Sequence, residues 1–569
     1  MDARQGEIGE AAFAHARPDE GRSARPALIA LALALVASSV LLLVLTSGFT
    51  FYQDTWAFLM HRREFSVDAF LEPHNEHIVL IPVAIEKLLL AVFGMTTALP
   101  EYVLLILMLA ATAYLLFVYV RRRLGPWPAT MAATLLLFVG PAWQVLLWPF
   151  EIGFVGSILA GLGMMLMLER EDRRGDRLAC LLLAISLGFS SLGISFAAAA
   201  AVDIFLRRRS GGLGRAYIAA VPLGLFAIWY LGWGHTAESH LSLINVLGSP
   251  VYLMNGLASS LDTVLGLSTI DVAGAGQPEW GRPLLVAAIV LLCVAQARKP
   301  GFSPRLWPAA AATASFWLLA AFNFIPGREA TSSRYAYAGA AFILILAADL
   351  LRGVRLGRRT LWVGGAVVLA AVAANMVSLK AGHDVLKEQS VLTRADTGAI
   401  DIARRSVDPT FALTPDVAGT PSLIDVDAAE YLPAVDEYGS PGYTPAELEG
   451  ASELGRKQAD IVLSRALPIS VLARRGARLS GAAETNCVTA GGPGALNPDL
   501  PLAPGPTRIE LGPGPRATVA LRRFAVGEFP VLTEGAPGDS VTVLRIPRDT
   551  APQPWHLQLT SQQPARVCQ

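Results

Sequence analysis

The sequence predicts a polytopic α-helical membrane protein of about eleven transmembrane helices, followed by an extracytoplasmic α+β domain that ends in a β-sandwich or jelly roll. Three observations predict it. Hydrophobic residues make up 53% of the 569 and charged residues 16%, with a mean hydropathy of +0.47, too apolar for a soluble chain of this length. Apolar runs near the length of a bilayer core, roughly 20 residues, alternate with short arginine clusters. From residue 380 to the end the composition turns polar, and from about 507 the apolar period becomes two.

Residues 1–26 are polar, small and Pro-containing, and read as a disordered cytoplasmic N-terminus. Ala27–Ser47 is an uncharged apolar run with no small-residue cleavage site after it, which makes it a retained signal anchor. Lys and Arg in the short loops set orientation. They cluster at Arg17, Arg22 and Arg25, at Arg121–Arg123, at Arg170, Arg173, Arg174 and Arg177, and at Arg207–Arg209 with Arg215. Later clusters are Arg298, Lys299 and Arg305, then Arg352, Arg355, Arg358 and Arg359. With each cluster cytoplasmic, the runs near 102–120, 129–148, 152–169, 178–206, 216–234, 283–297, 306–324, 335–351 and 361–379 are spans. Parity then requires 178–206 to be a hairpin of two short helices turning at Ser190-Ser191-Leu192-Gly193. The transmembrane domain is 27–379.

The same parity places 48–101 outside as a long first loop. Its apolar run Ile78–Phe93 contains Pro82, Glu86 and Lys87 and suits a helix lying along the interface. Residues 380–569 form an outer domain. Thr444-Pro445-Ala446-Glu447 is a capping box with Pro at the first helical position. TRIEL, ATVALRRFAV, SVTVLRIP and WHLQL alternate apolar and polar residues between Gly/Pro turns. Cys487 and Cys568 bracket this part and are expected to pair in an oxidising compartment, worth roughly 4–5 kcal/mol by loop closure. Cys180 and Cys293 lie in spans and read as small buried hydrophobes. Formal net charge is zero, and no basic tract is interleaved with aromatics, which argues against nucleic acid.

The chemistry concentrates in Tyr52–Leu80, with five carboxylates and three of the eight histidines. Asp54, beside Phe51, Tyr52 and Trp56 at the membrane boundary, reads either as a partly desolvated general base or as the N-cap of the following helix. In EPHNEH, Glu72, Glu76, His74 and His77 are candidates; the histidines are three apart and share a face if the segment is helical. Such a set binds a divalent cation or orients an acceptor hydroxyl, or else it is a hydrated loop. In PGREATSSRYAY, Arg328 and Arg334 stand where positive charge is discouraged, suiting bidentate phosphate contact or snorkelling to headgroups. Tyr335 either stacks on a sugar or joins an interfacial aromatic belt. Glu151, in WPFEIGF, is a carboxylate at another outer edge.

An acidic residue opening a long first outer loop, about eleven spans and an outer C-terminal domain, together with QDTW, EPHNEH and SSRYAY, resemble the GT-C superfamily of polytopic glycosyltransferases. Protein O-mannosyltransferases and aminoarabinose transferases belong to it. The resemblance implies a cell-envelope enzyme of the plasma (inner) membrane. Such an enzyme passes a hexosyl or pentosyl group from a polyprenyl phosphate or diphosphate carrier to an extracytoplasmic glycan, lipid or protein acceptor. It implies that Asp54 is the base or helps hold a metal. Many members have paired acids there, whereas Gln53 and Thr55 flank Asp54 here. No cofactor is certain; a divalent cation, Mg or Mn, would draw on Asp54, His74 and His77. Two other classes stay open: a lipid-linked glycan transporter or flippase, and a non-catalytic scaffold displaying a carbohydrate-binding domain. A transporter would want midplane charges and internal repeats, and neither is evident.

Overall fold

The computed structural model describes residues 18–207, 212–268, 278–298, 303–354, 356–413, 426–475, 487–490, 499–502, 505–527 and 529–569. Most of the expected disordered N-terminus lies outside them, as do Arg17, Arg208, Arg209, Lys299 and Arg355. In chain order the helices are α1 (Pro18–Leu45), α2 (Thr55–His61), α3 (Val67–Leu71), α4 (Leu80–Phe93), α5 (Leu99–Leu124), α6 (Pro126–Leu137), α7 (Trp143–Leu147), α8 (Ile152–Leu168), α9 (Arg173–Phe189) and α10 (Gly193–Leu206). They continue with α11 (Tyr217–Gly232), α12 (Leu243–Leu265), α13 (Gly281–Arg298), α14 (Leu306–Phe322), α15 (Ser333–Leu350), α16 (Arg358–Ala403), α17 (Ala428–Tyr438), α18 (Pro445–Gly450) and α19 (Glu453–Ala466). The strands are β1 (Ser470–Arg475), β2 (Cys487–Ala490), β3 (Leu500–Leu502), β4 (Pro506–Leu511), β5 (Ala517–Arg522), β6 (Val531–Ala536), β7 (Ser540–Arg545), β8 (Trp555–Thr560) and β9 (Ala565–Cys568).

The chain divides into two compact units. One comprises Met1–Ser47, Ser66–Ala84 and Glu101–Asp384; the other comprises Gly48–Phe65, Ile85–Pro100 and Val385–Gln569. The loop expected over 48–101 is thus shared out between the units. The boundary expected at 379/380 falls inside α16, a single 46-residue helix. Composition changes there because the surroundings change, while the helical backbone, whose hydrogen bonds are internal, runs on.

Among the described residues, six helical segments are long and apolar enough to cross a membrane: Ala24–Leu45, Leu99–Leu124, Pro149–Leu168, Gly281–Arg298, Ser333–Leu350 and Arg358–Ala403. A seventh follows if Pro126–Leu137 and Gly140–Leu147, bent by 42°, form one span. The protein is an integral membrane protein, but this count falls short of eleven. The apolar helices α10, α11 and α14 have 14, 16 and 17 residues, less than the roughly 20 that hydrocarbon thickness asks of a straight helix. The expected disordered lead is shorter than 1–26, since residues 18–26 already belong to α1.

Within the first unit, apolar side chains face outward as lipid contact requires. Ile29, Leu33, Val36 and Val44 of α1, and Leu225, Ile228 and Leu231 of α11, are all more than half exposed. The chain turns between α9 and α10 at Ser190–Leu192. The break between α6 and α7 sits at Gly140, where a Cβ would lie 1.7 Å from the Asn375 carbonyl oxygen, so only glycine permits that approach of α16. At the end of α5, Arg123 is buried between Glu169 (2.7 Å) and Asp349 (2.5 Å), and Tyr119 donates to Asp349 at 2.5 Å. An arginine counted from sequence as a cytoplasmic loop charge is therefore an internal one.

Within the second unit, the capping box forms as its sequence predicts: the Thr444 hydroxyl accepts from the Glu447 N–H, and the Glu447 carboxylate accepts from the Thr444 N–H. The strands make two antiparallel sheets, ordered β1-β7-β4-β9-β2 and β3-β8-β5-β6. Pairs β2·β9, β3·β8, β4·β7 and β5·β6 are those of one long hairpin folded over and wound across two sheets, which is a jelly roll. Strands begin at Ser470 rather than near 507; β2 and β3 have four and three residues, too few for a period of two to register. Cys487 and Cys568 are directly opposed on β2 and β9 and joined by a disulfide. Asp460 on α19 accepts from the backbone N–H of Arg523, Phe524 and Ala525, each at 2.9 Å, fixing the helix to the end of β5.

Candidate functional site

In the first unit, EPHNEH is not helical. His74 and His77 exchange both backbone hydrogen bonds at 3.0 Å, and Asn75 between them has φ +52°. This is a tight turn of the kind Asn tolerates. The histidines are therefore opposed across a turn rather than aligned on a helix face, a correction to the spacing argument: two hairpin hydrogen bonds compete successfully with one short, Pro-flanked helical turn. The His74 ring packs on Phe150 (5.2 Å) and the His77 ring on Phe154 (5.6 Å). The turn is anchored from its sides, since Ser191 donates to the Glu76 carbonyl (3.1 Å) and Trp229 to the Leu71 carbonyl (2.7 Å). Glu72 is exposed at the end of α3.

The Glu76 carboxylate faces inward. It accepts from the Arg328 guanidinium, and His240 Nε2 lies 3.6 Å from the same oxygen; each of the three side chains is at most 17% exposed. Tyr252 donates to the Arg328 carbonyl at 2.8 Å. Arg334, in the first turn of α15, is half-buried, and among the described residues no carboxylate or acceptor pairs with it. It nevertheless shares surroundings with Arg328: His77, Tyr252 and Tyr335 each lie within electrostatic reach of both guanidiniums. Burial pushes the His77 imidazole down to about 4, Arg328, His74 and Arg334 push the same way, and Glu76 opposes them. His77 is therefore neutral at pH 7, and its Nδ1 is buried without a hydrogen-bond partner among the described residues.

Glu151, 7% exposed, ends the short turn before α8, and with Glu76 it reaches the Tyr335 hydroxyl electrostatically. Tyr335 is neither a belt residue nor an open stacking platform. It is 8% exposed and packs edge-on to Phe316 (6.2 Å) and Trp317 (6.3 Å), because the position after Arg334 faces the α14 side of its helix. The structure thus gathers Glu76, His77, Glu151, Arg328, Arg334 and Tyr335. Sequence reasoning missed His240 and Tyr252, which carry no local motif. A cavity of about 380 Å³ opens beside Tyr252, lined mainly by apolar groups such as Ile244, Val251, Ala321 and Phe324, with Tyr252, Asn245, Asn255, Arg282 and Glu329 as its larger polar members.

Asp54 belongs to the second unit. It precedes α2 but makes no side-chain cap, so its carboxylate is not spent on the helix end. Gln53 before it has φ +44°, a conformation uncommon outside glycine. Trp56, 1% exposed, seats this segment through its indole N–H to the Phe51 carbonyl (3.3 Å) and ring contacts with Phe51 (5.8 Å) and Tyr431 (6.3 Å). Among the described residues no group of three or more His, Cys, Asp or Glu gathers as a metal site.

Fold and site together define a polytopic helical membrane protein whose first unit holds a half-buried guanidinium with no carboxylate partner among the described residues, and whose second unit contains a jelly roll. No family model matches the chain, and no curated protein matches it. Among solved structures it is similar to the crystal structure of ArnT from Cupriavidus metallidurans bound to undecaprenyl phosphate, at 15% identity and a TM-score of 0.45, over 71% of this chain and 84% of that one.

Proposed function

We propose that this protein is a membrane glycosyltransferase that moves a sugar from a polyprenyl phosphate or diphosphate carrier to an extracytoplasmic glycan, lipid or protein acceptor. The observation that carries the reading is Arg334, a half-buried cation with no internal counter-charge among the described residues. Burying a guanidinium costs free energy unless an anion compensates, and a planar fork matches phosphate oxygens. The neighbouring cavity is mostly apolar, which suits an isoprenoid chain leading away from a phosphate. In the reaction a carboxylate base takes the acceptor hydroxyl's proton and the oxygen attacks the anomeric carbon; Asp54 is the candidate that the sequence offers for that base. The bond from that carbon to the phosphate oxygen breaks, and the phosphate leaves with the electron pair, its charge met by Arg334.

The test is incubation of the purified protein with radiolabelled polyprenyl-linked sugars and a cell-envelope extract. Transfer from one donor, lost in Asp54→Asn, supports the reading; no transfer from any donor overturns it. One cluster favours the scaffold instead: on the jelly roll, Asp499 joins His556 (2.7 Å) and Arg522 at one sheet edge, polar groups of the kind that bind sugar hydroxyls. Glycan retention without transfer would select it.

A further inference from the structure

We propose that Glu76 is a built-in counter-anion that occupies Arg328 until a lipid phosphate arrives, whereupon the phosphate takes Arg328 together with Arg334 and releases the Glu76 carboxylate. The inference rests on the glycosyltransferase reading and adds regulation of the same site.

Two arginines share one neighbourhood, yet among the described residues only one of them is neutralised. Arg328 is bound by Glu76, and Arg334 has no acceptor. Carboxylate and phosphate are alternative anionic partners for a guanidinium. The Glu76–Arg328 pair is 15% and 14% exposed, buried enough for its charges to matter and open enough for exchange. The pair is also built to come apart at one end. Arg328 is held through its backbone by Tyr252, so its position does not depend on Glu76. The Glu76 carboxylate has a second neighbour in His240, whose Nε2 lies 3.6 Å away and offers the released carboxylate another ring-nitrogen contact. The turn carrying Glu76 is fixed through its backbone by the His74–His77 hydrogen bonds and Ser191. Release therefore needs a side-chain rotation and no rebuilding of the loop. His77, neutral with a buried Nδ1 unpartnered among the described residues, adds no charge that would compete for the phosphate.

The two possible roles of Glu76 predict opposite signs. A residue that merely positions Arg328 lowers phosphate affinity when removed, whereas a competitor raises it. The experiment measures binding of farnesyl phosphate, with farnesol as the uncharged control, to the full-length protein in nanodiscs. Glu76→Gln is expected to bind farnesyl phosphate about tenfold more tightly than wild type, roughly one exchanged charge pair, with farnesol unchanged. Glu76→Asp, which keeps the charge on a shorter arm, is expected to fall between them and serves if the Gln variant fails to fold. Arg334→Gln should weaken the phosphate in both backgrounds. Equal or weaker binding by both Glu76 variants overturns the proposal while leaving the glycosyltransferase reading intact. Phosphate no better bound than farnesol in every variant overturns both.

Discussion

Asp54 and Arg334 are assigned different tasks, and their substitutions should separate in kinetics. Asp54→Asn keeps the shape and removes the proposed base, so single-turnover transfer should fall by about 10²–10⁴ while donor affinity survives. Arg334→Ala should weaken donor binding and turnover together, because phosphate contacts begin in the ground state; Arg334→Lys should restore only part, since a point charge does not reproduce a fork. Normal transfer by folded Asp54→Asn would move the base elsewhere. His77 makes a pH prediction for stability. Its folded pKa, about 4, lies below the ordinary 6.5 because of burial. The unfolded chain thus binds more protons between those values, and stability present above pH 6.5 is lost as pH falls towards 4. In thermal scans across that window, His77→Gln should flatten the slope. Equal slopes would show that another group titrates. Asp349→Ala removes one of the two carboxylates that hold buried Arg123, leaving Glu169, and should cost about 1.5–3 kcal/mol, the range for a hydrogen bond to a charged group, read as a lowered unfolding midpoint.

At the scale of elements, α2 is seven residues long and is not stable by itself. Its place comes from Trp56, whose replacement by Ala should cost about 3–5 kcal/mol and loosen Asp54. Transfer should therefore fall without a change in donor affinity, and proteolysis between 48 and 65 should speed up. The β2·β9 disulfide closes a separation of 81 residues. Its reduction should lower jelly-roll stability by about 4–5 kcal/mol in the chain-entropy model. Non-reducing mass spectrometry should recover one linked Cys487–Cys568 peptide pair; two free thiols in the purified protein would contradict the pairing.

For the whole molecule, the prediction is topological. Single cysteines placed near 122 and 357 should be labelled from the cytoplasmic side, and sites throughout 380–569 from the other. A reporter placing 380–569 in the cytoplasm would defeat the orientation and with it the extracytoplasmic acceptor. The span count of six or seven, with shorter apolar helices beside it, does not set this parity by itself. Helices below bilayer length cross where neighbours or local thinning compensate.

What the sequence by itself determined is what depends on near neighbours. The membrane class follows from runs of apolar residues, the hairpin break from Ser190–Leu192, the α18 start from Thr444 and Glu447, and the later strands from a period of two. In each case the stabilising contacts lie within a few residues along the chain or come from the solvent. The turn at His74–His77 is not legible in the sequence because its two backbone hydrogen bonds leave no periodic trace. Tertiary structure alone decided that Glu76 meets Arg328, 252 residues away, that His240 joins them, that Arg334 is left without a counter-charge among the described residues, and that Tyr335 is core. No local pattern encodes such meetings. Which of several equally suitable charges become partners is settled by the packing of the helices that carry them, and that packing is a property of the folded chain.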